Sequence, residues 1–197
     1  MSAPGAPVLV AVDVAGPPDA WRAAGFTVDA DGACRLGHVR IQTGVGATGI
    51  ADWTLGDEPV VVPAVHPNGA LLLDHLVVFT DDPDRTVRSY ADRGLEVRRV
   101  RDLGNGRTQT FFRAGEVIIE LVGPIAGDGE RPFGLSPTVA DLDACAELLG
   151  DRLGTIKDAT QPGRQIATVR HEACGLTIPI ALMSPEPDRP SKDSAAE

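Results

Sequence analysis

No apolar stretch in this chain reaches ten residues, against the roughly 20 that cross a bilayer, so no membrane-spanning helix is expected. A basic segment leading into an apolar one is missing at the N-terminus, so no signal peptide is expected and the protein should be soluble and cytoplasmic. Cysteine is rare. Cys34, Cys145 and Cys174 are an odd number at wide spacing, which argues against a disulfide framework or a zinc cluster and for buried thiols. Lysine is nearly absent, limited to Lys157 and Lys192, and the resulting arginine bias reads as genomic composition rather than function. Acidic residues outweigh both cations. A formal net charge of −10 argues against nucleic acid as a partner, because a phosphate backbone demands clustered Lys and Arg. Such a balance suits a cationic ligand better, and most often serves only solubility. Also missing are a Gly-x-Gly-x-x-Gly turn after a strand, a P-loop and a Gly-x-Ser-x-Gly elbow.

What the chain does contain is one local order repeated three times. In the middle, an apolar strand ending at Phe79 meets Asp82-Pro83-Asp84, a cap-and-proline helix start, and Val87, Tyr90 and Ala91 follow at helical spacing up to Gly94. Strands then open at Leu95-Glu96-Val97, run from Thr108 to Arg113, and return after Ala114-Gly115 through Val117 to Val122. The order is β-α-β-β-β. From Phe133 it recurs: a strand to Val139, a cap at Asp141, Leu142, Cys145, Leu148 and Leu149 on one helical face, a stop at Gly154, and strands at Gln165 to Arg170 and Leu176 to Met183. A shorter copy opens the chain, with Val8 to Val14, Pro17-Pro18-Asp19, and Trp21 as its core anchor. These signals predict an α+β protein. A short N-terminal βαβββ-like module covers 1–60, a turn-rich linker 61–70, one full module 71–125, another 126–185, and a disordered tail 186–197. Trp53 is expected where the first unit meets its neighbour.

Glu120 is the most informative residue, an acid inside Val117-Ile118-Ile119-Glu120-Leu121-Val122. Burying a carboxylate without a partner costs roughly several kcal/mol, so the fold should supply a metal, a cation or a proton donor there. His75, in the apolar strand Leu71 to Phe79, is the candidate partner. The two either form a buried pair that fixes strand register or act as ligands or catalysts. Period-two alternation puts Gln109, Phe111 and Arg113 on one face, and Gln109 is expected to join His75 and Glu120. Gln161 and Arg164 flank Gly163 at a strand start, where a guanidinium reaches a ligand's carboxylate or carbonyl, unless the motif is only a turn with a surface ion pair. His66 and Asn68 are expected to fold over the opening, and His38, His66 and His171 to be loop or surface histidines.

The segments Leu73-Asp74-His75-Leu76-Val77-Val78, Asp82-Pro83-Asp84-Arg85-Thr86, Phe111-Phe112-Arg113-Ala114-Gly115 and Ile118-Ile119-Glu120-Leu121-Val122 resemble the vicinal oxygen chelate superfamily. That group includes glyoxalase I, the bleomycin resistance proteins, methylmalonyl-CoA epimerase and extradiol dioxygenases. The resemblance covers residues 70 to 185 well and 6 to 60 weakly. It implies that the two full modules curl into an open, barrel-like mixed sheet with helices outside. It also implies a divalent metal held by two residues from each module, with His75 and Glu120 as the pair from this one. The matching positions of the last module hold Gly134 and Ala181, which cannot bind a metal, so the ligand set is incomplete. The cofactor therefore stays open between a divalent metal and none. The implied function is a glyoxalase-like small-molecule pocket, a lyase or isomerase with Glu120 as base and His75 as ligand or orienter. The alternative is metal-free binding or sequestration of the bleomycin-resistance type. No membrane partner is expected, and the unpaired first module is expected either to pack on the barrel or to form a homodimer.

Overall fold

An 11-residue strand, β5 (Ala70–Thr80), carries both the longest apolar run and the candidate histidine. We describe it in a computed structural model that covers residues 6–57, 59, 60, 62 and 64–187. Leu76, Val78 and Thr80 of β5 point into the core while Val77 and Phe79 are half-buried on the opposite face, as period-two alternation requires. After it, Asp82 caps helix α2 (Pro83–Asp92): its Oδ1 accepts from Arg85 N at 2.9 Å, and Pro83 takes the first turn, where its missing N–H is no loss. Strands β6 (Val97–Gly104), β7 (Arg107–Ala114) and β8 (Val117–Gly123) complete this unit. The β6–β7 turn has Asn105 and Gly106 at positive φ, the requirement of a tight hairpin that follows the sheet's twist.

The last unit repeats the plan. Its elements are β9 (Glu130–Val139), α3 (Leu142–Leu149) capped by Asp141, β10 (Lys157–Asp158), β11 (Gln165–Thr168), a short helix α4 (His171–Cys174) and β12 (Ala181–Met183). All eight strands form one sheet in the order β10-β11-β12-β9-β5-β8-β7-β6. Within each unit the first strand lies parallel to the last, and the two units join through antiparallel β5 and β9. Two details depart from expectation. Helix α3 stops at Leu149, because Gly150 takes φ 53° and a 3₁₀ turn (Gly150–Arg152) follows, rather than running to Gly154. The expected strand from Leu176 is regular only over Ala181–Met183.

The first unit has the expected element order but a different topology. Strands β1 (Val8–Val14), β2 (Ala33–Leu36), β3 (Val39–Thr43) and β4 (Ile50–Gly56), with helix α1 (Pro18–Ala23) after β1, make a separate sheet ordered β2-β3-β1-β4. Here β1 is parallel to β3, and β4 pairs antiparallel on its other side. β4 thus takes against β1 the place that β9 takes against β5, and the unit is a βαββ piece with an added strand.

This unit packs on the large sheet of its own chain. Trp53 meets Tyr90 edge-on at 5.6 Å between ring centroids, and Tyr90 meets Phe112 at 5.0 Å, so three of the few aromatic rings join the two sheets. Trp53 Nε1 and Tyr90 Oη donate to Glu130 Oε1 at 3.3 and 2.8 Å. Buried His66 and Asn68 tie the connector to the first unit instead of covering an opening. His66 Nδ1 accepts from Thr27 N at 3.0 Å, and Asn68 Nδ2 donates to Ala24 O at 2.9 Å. His38 is buried as well, 3.7 Å from Glu116, so two of the histidines expected at the surface are structural. The cysteines are buried and free; burial pushes the Cys34 thiol up to about 12 and Cys145 to about 11. From residue 188 onward, the expected tail lies outside the described residues, as do residues 61 and 63 of the linker.

Candidate functional site

Side chains on one face of the large sheet border a cavity of about 650 Å³. Its residues fall into rows that run across the strands. One row passes from Ser136 on β9 through His75 on β5 and Ile118 on β8 to Arg113 on β7. The next passes from Gly134 through Val77, Glu120 and Phe111 to Arg99 on β6. A third holds Phe79, Val122, Gln109 and Arg101. His75 and Glu120 therefore sit on adjacent strands one row apart. Exposure grades along the rows: His75 and Ser136 are buried, Gln109, Phe111 and Glu120 half-buried, and the arginines exposed.

Glu120 is not sealed in apolar surroundings, because β8 buries alternate residues only and its other face opens on the cavity. Nor is His75 its partner: among the described residues no hydrogen bond or ion pair joins them. Glu120 Oε1 accepts from Gln109 Nε2 at 2.5 Å, which leaves Gln109 Oε1 buried without a partner. His75 instead meets Asp74, with Nδ1 2.7 Å from Oδ2 but off the line of a hydrogen bond. That leaves its Nε2 edge for the cavity the ring lines. The register shift between Leu73 and His75 lets neighbours in sequence meet here, where a regular strand would send them to opposite faces.

Arg164 stands behind this pair rather than in the cavity. Its side chain is 2 % exposed; Nη1 donates to Asp74 Oδ2 at 2.9 Å and to Gln161 Oε1 at 2.8 Å, Nη2 to Thr138 Oγ1 at 3.0 Å, and Nε to Ser184 O at 2.8 Å. With its donors taken up by protein, the expected substrate clamp is a buried bracket that positions Asp74 and Gln161. Gln161 itself lines the cavity, as do His75, Gln109, Phe111, Arg113 and Glu120.

Burial pushes the Asp74 carboxyl up, but His75 and the Arg164 guanidinium outweigh it and hold the group below its ordinary 3.8. A depressed folded pKa means that the unfolded chain takes the proton first. The stabilisation is complete above about pH 5 and is lost as pH falls through 3.8 and below. Asp74→Asn should therefore flatten the acid limb of a plot of melting temperature against pH, and an unchanged acid limb would contradict this assignment.

The donors present do not fit a tightly held transition metal, which wants three or four protein ligands. His75 and Glu120 have no third His, Cys, Asp or Glu to complete a group among the described residues. Gly134 and Ala181 offer no side-chain donor from the other unit. Gln109 is already engaged with Glu120.

Three features were missed from sequence. Asp74 was visible beside His75 but strand alternation put it on the wrong face. Ser136, directly across from His75, is found only through register. Arg98, Arg99 and Arg101 were visible as a cationic run in an acidic chain and read as genomic bias; with Arg113 they line the cavity. That rim also corrects the preference for a cationic ligand.

The strand order defines the class of fold, two βαβββ units joined edge to edge in one mixed sheet, as the resemblance implied. No model of a known protein family matches the sequence, and no curated protein matches it. Solved structures do. A methylmalonyl-CoA epimerase from Mycobacterium tuberculosis is 21 % identical with a TM-score of 0.48, over 60 % of this chain and 91 % of that one. A variant of the Streptomyces coelicolor methylmalonyl-CoA epimerase, in complex with 2-nitronate-propionyl-CoA, is 21 % identical with a TM-score of 0.48, over 61 % and 99 %.

Proposed function

We propose that this protein is a small-molecule enzyme that moves a proton at a carbon next to a carbonyl, an isomerase or lyase in which Glu120 is the base. The observation that carries the proposal is the presence, in one cavity, of a half-buried carboxylate and a buried histidine that is backed by a half-buried acid. Glu120 takes the proton from the substrate carbon, and the electron pair left behind moves onto the carbonyl oxygen. Ser136 and Gln161 line the same space and offer a hydroxyl and an amide to that oxygen. The proton returns to carbon from Glu120 or from His75 Nε2 in an isomerase, or a neighbouring leaving group departs in a lyase. Gln109 holds Glu120 in place through its amide. We assign His75 the role of orienter and proton donor and propose that no tightly bound metal takes part.

Exchange into solvent tests the proposal. Methylmalonyl-CoA, oxaloacetate and glyceraldehyde 3-phosphate each carry an acidic C–H beside a carbonyl, together with anionic groups. Incubated in D₂O, at least one should gain deuterium at that carbon faster with protein than in buffer. Tight binding of a panel member without exchange would favour sequestration instead.

A further inference from the structure

We propose that the arginines of β6 and β7 form a second subsite of the cavity, which grips a multiply charged phosphate, a diphosphate-like handle at the end of the substrate away from Glu120. The inference rests on the reading of Glu120 as the reacting end and adds the class of molecule that enters. Arg98, Arg99, Arg101 and Arg113 all line the cavity. In a regular strand Arg98 and Arg99 would face opposite sides. The register shift between Val97 and Arg99 turns both toward the cavity, as a bulge does when it re-aims a side chain.

Charged residues on an edge strand commonly only block edge-to-edge pairing, and β6 is an edge. That account does not reach Arg113, which lies on β7 inside the sheet, and it does not explain why the four collect in one cavity while Val100 is on the other face of β6. Their charge is also poorly compensated. Among the described residues only Arg98 has a carboxylate partner, Glu96 at 3.6 Å, an exposed pair worth little. Three guanidinium groups without acidic partners, in a chain of net charge −10, make a local field of the wrong sign for the rest of the molecule.

Distance supports two ends of one ligand. Arg99, Phe111 and Glu120 are directly paired neighbours on three strands, which puts the Arg99 and Glu120 backbones about 10 Å apart. A guanidinium reaching inward spans part of that gap, and its planar fork matches phosphate oxygens two at a time. Phe111, between them, offers an apolar face to the middle of the ligand.

Calorimetric titration with inorganic pyrophosphate, and separately with citrate, tests the proposal on the full chain. Wild-type protein should bind pyrophosphate saturably and more tightly than citrate. Affinity should fall about 10-fold or more in Arg99→Gln/Arg101→Gln, and fall again between about 50 and 500 mM salt. Both arginines are exposed, so unchanged melting would show that the variant is folded. Glu120→Gln should bind pyrophosphate as well as wild type or better, since it removes a negative charge from the same cavity. No saturable binding of pyrophosphate, equal affinity in the double arginine variant, or a preference for citrate would each overturn the phosphate subsite. Loss of proton exchange with pyrophosphate binding intact would count against the role of Glu120 alone.

Discussion

Replacing Glu120 by Gln removes the base and almost nothing else, so exchange of the substrate proton should fall about 1,000-fold, in the middle of the range for general acid–base groups. The two side chains have the same shape. Glu120 is half-buried and has one hydrogen bond, from Gln109, whose amide can turn to offer its free Oε1 to the new amide. Stability should therefore change by less than about 1 kcal/mol, and binding of the panel member that exchanges should stay within about 10-fold. If exchange fell only a few-fold, Glu120 would be a binding group, and His75 would become the candidate base. A melting temperature lowered along with activity would point to a structural role instead.

Arg164→Leu should have the largest effect on stability of any substitution in the site. Its guanidinium is 2 % exposed and bridges Asp74, Gln161, Thr138 and the Ser184 carbonyl, so β5, β9 and the strands after α3 all depend on it. Removing it leaves Asp74, whose side chain is 14 % exposed, with only His75 beside its charge, and strips Gln161, Thr138 and the Ser184 carbonyl of their donor, at a cost of about 3–5 kcal/mol. For a chain of this length that is a drop of about 10 °C in melting temperature. Adding Asp74→Asn to Arg164→Leu should recover part of the loss, because the stranded charge is then gone. A loss below about 1 kcal/mol would mean that the bracket is solvated and that Arg164 is free to meet substrate after all.

Much of the large sheet was legible because its signals are local. Asp82-Pro83 and Asp141 cap helices through their own side chains, and the alternation in Val117 to Val122 fixes which residues face the cavity. The same alternation brought Gln109 beside Glu120. It failed wherever a strand is irregular. The register shifts at Leu73/His75 and Val97/Arg99 turn Asp74 and Arg98 to faces that period two denies them. Arg164 was misread for a different reason. Its partners Asp74 and Thr138 lie 90 and 26 residues away, and nothing near Gly163 says whether a guanidinium there points to solvent or inward. The first unit shows the limit of element order as a guide. Its order of β1, α1, β2, β3 and β4 is that of a full module, but β4 pairs on the far side of β1, where it meets β9 and its Trp53 meets Tyr90, contacts that local sequence does not announce.

The account turns on proton movement at a carbon within this cavity, without a tightly bound metal. The direct measurement is proton NMR of the three carbonyl compounds in D₂O, with wild-type protein dialysed against a chelator. The account predicts loss of the α-proton signal of at least one compound, at a rate proportional to protein concentration and unchanged by restoring divalent metal. Exchange at the buffer rate for all three, or exchange that returns only when metal is added, would contradict it.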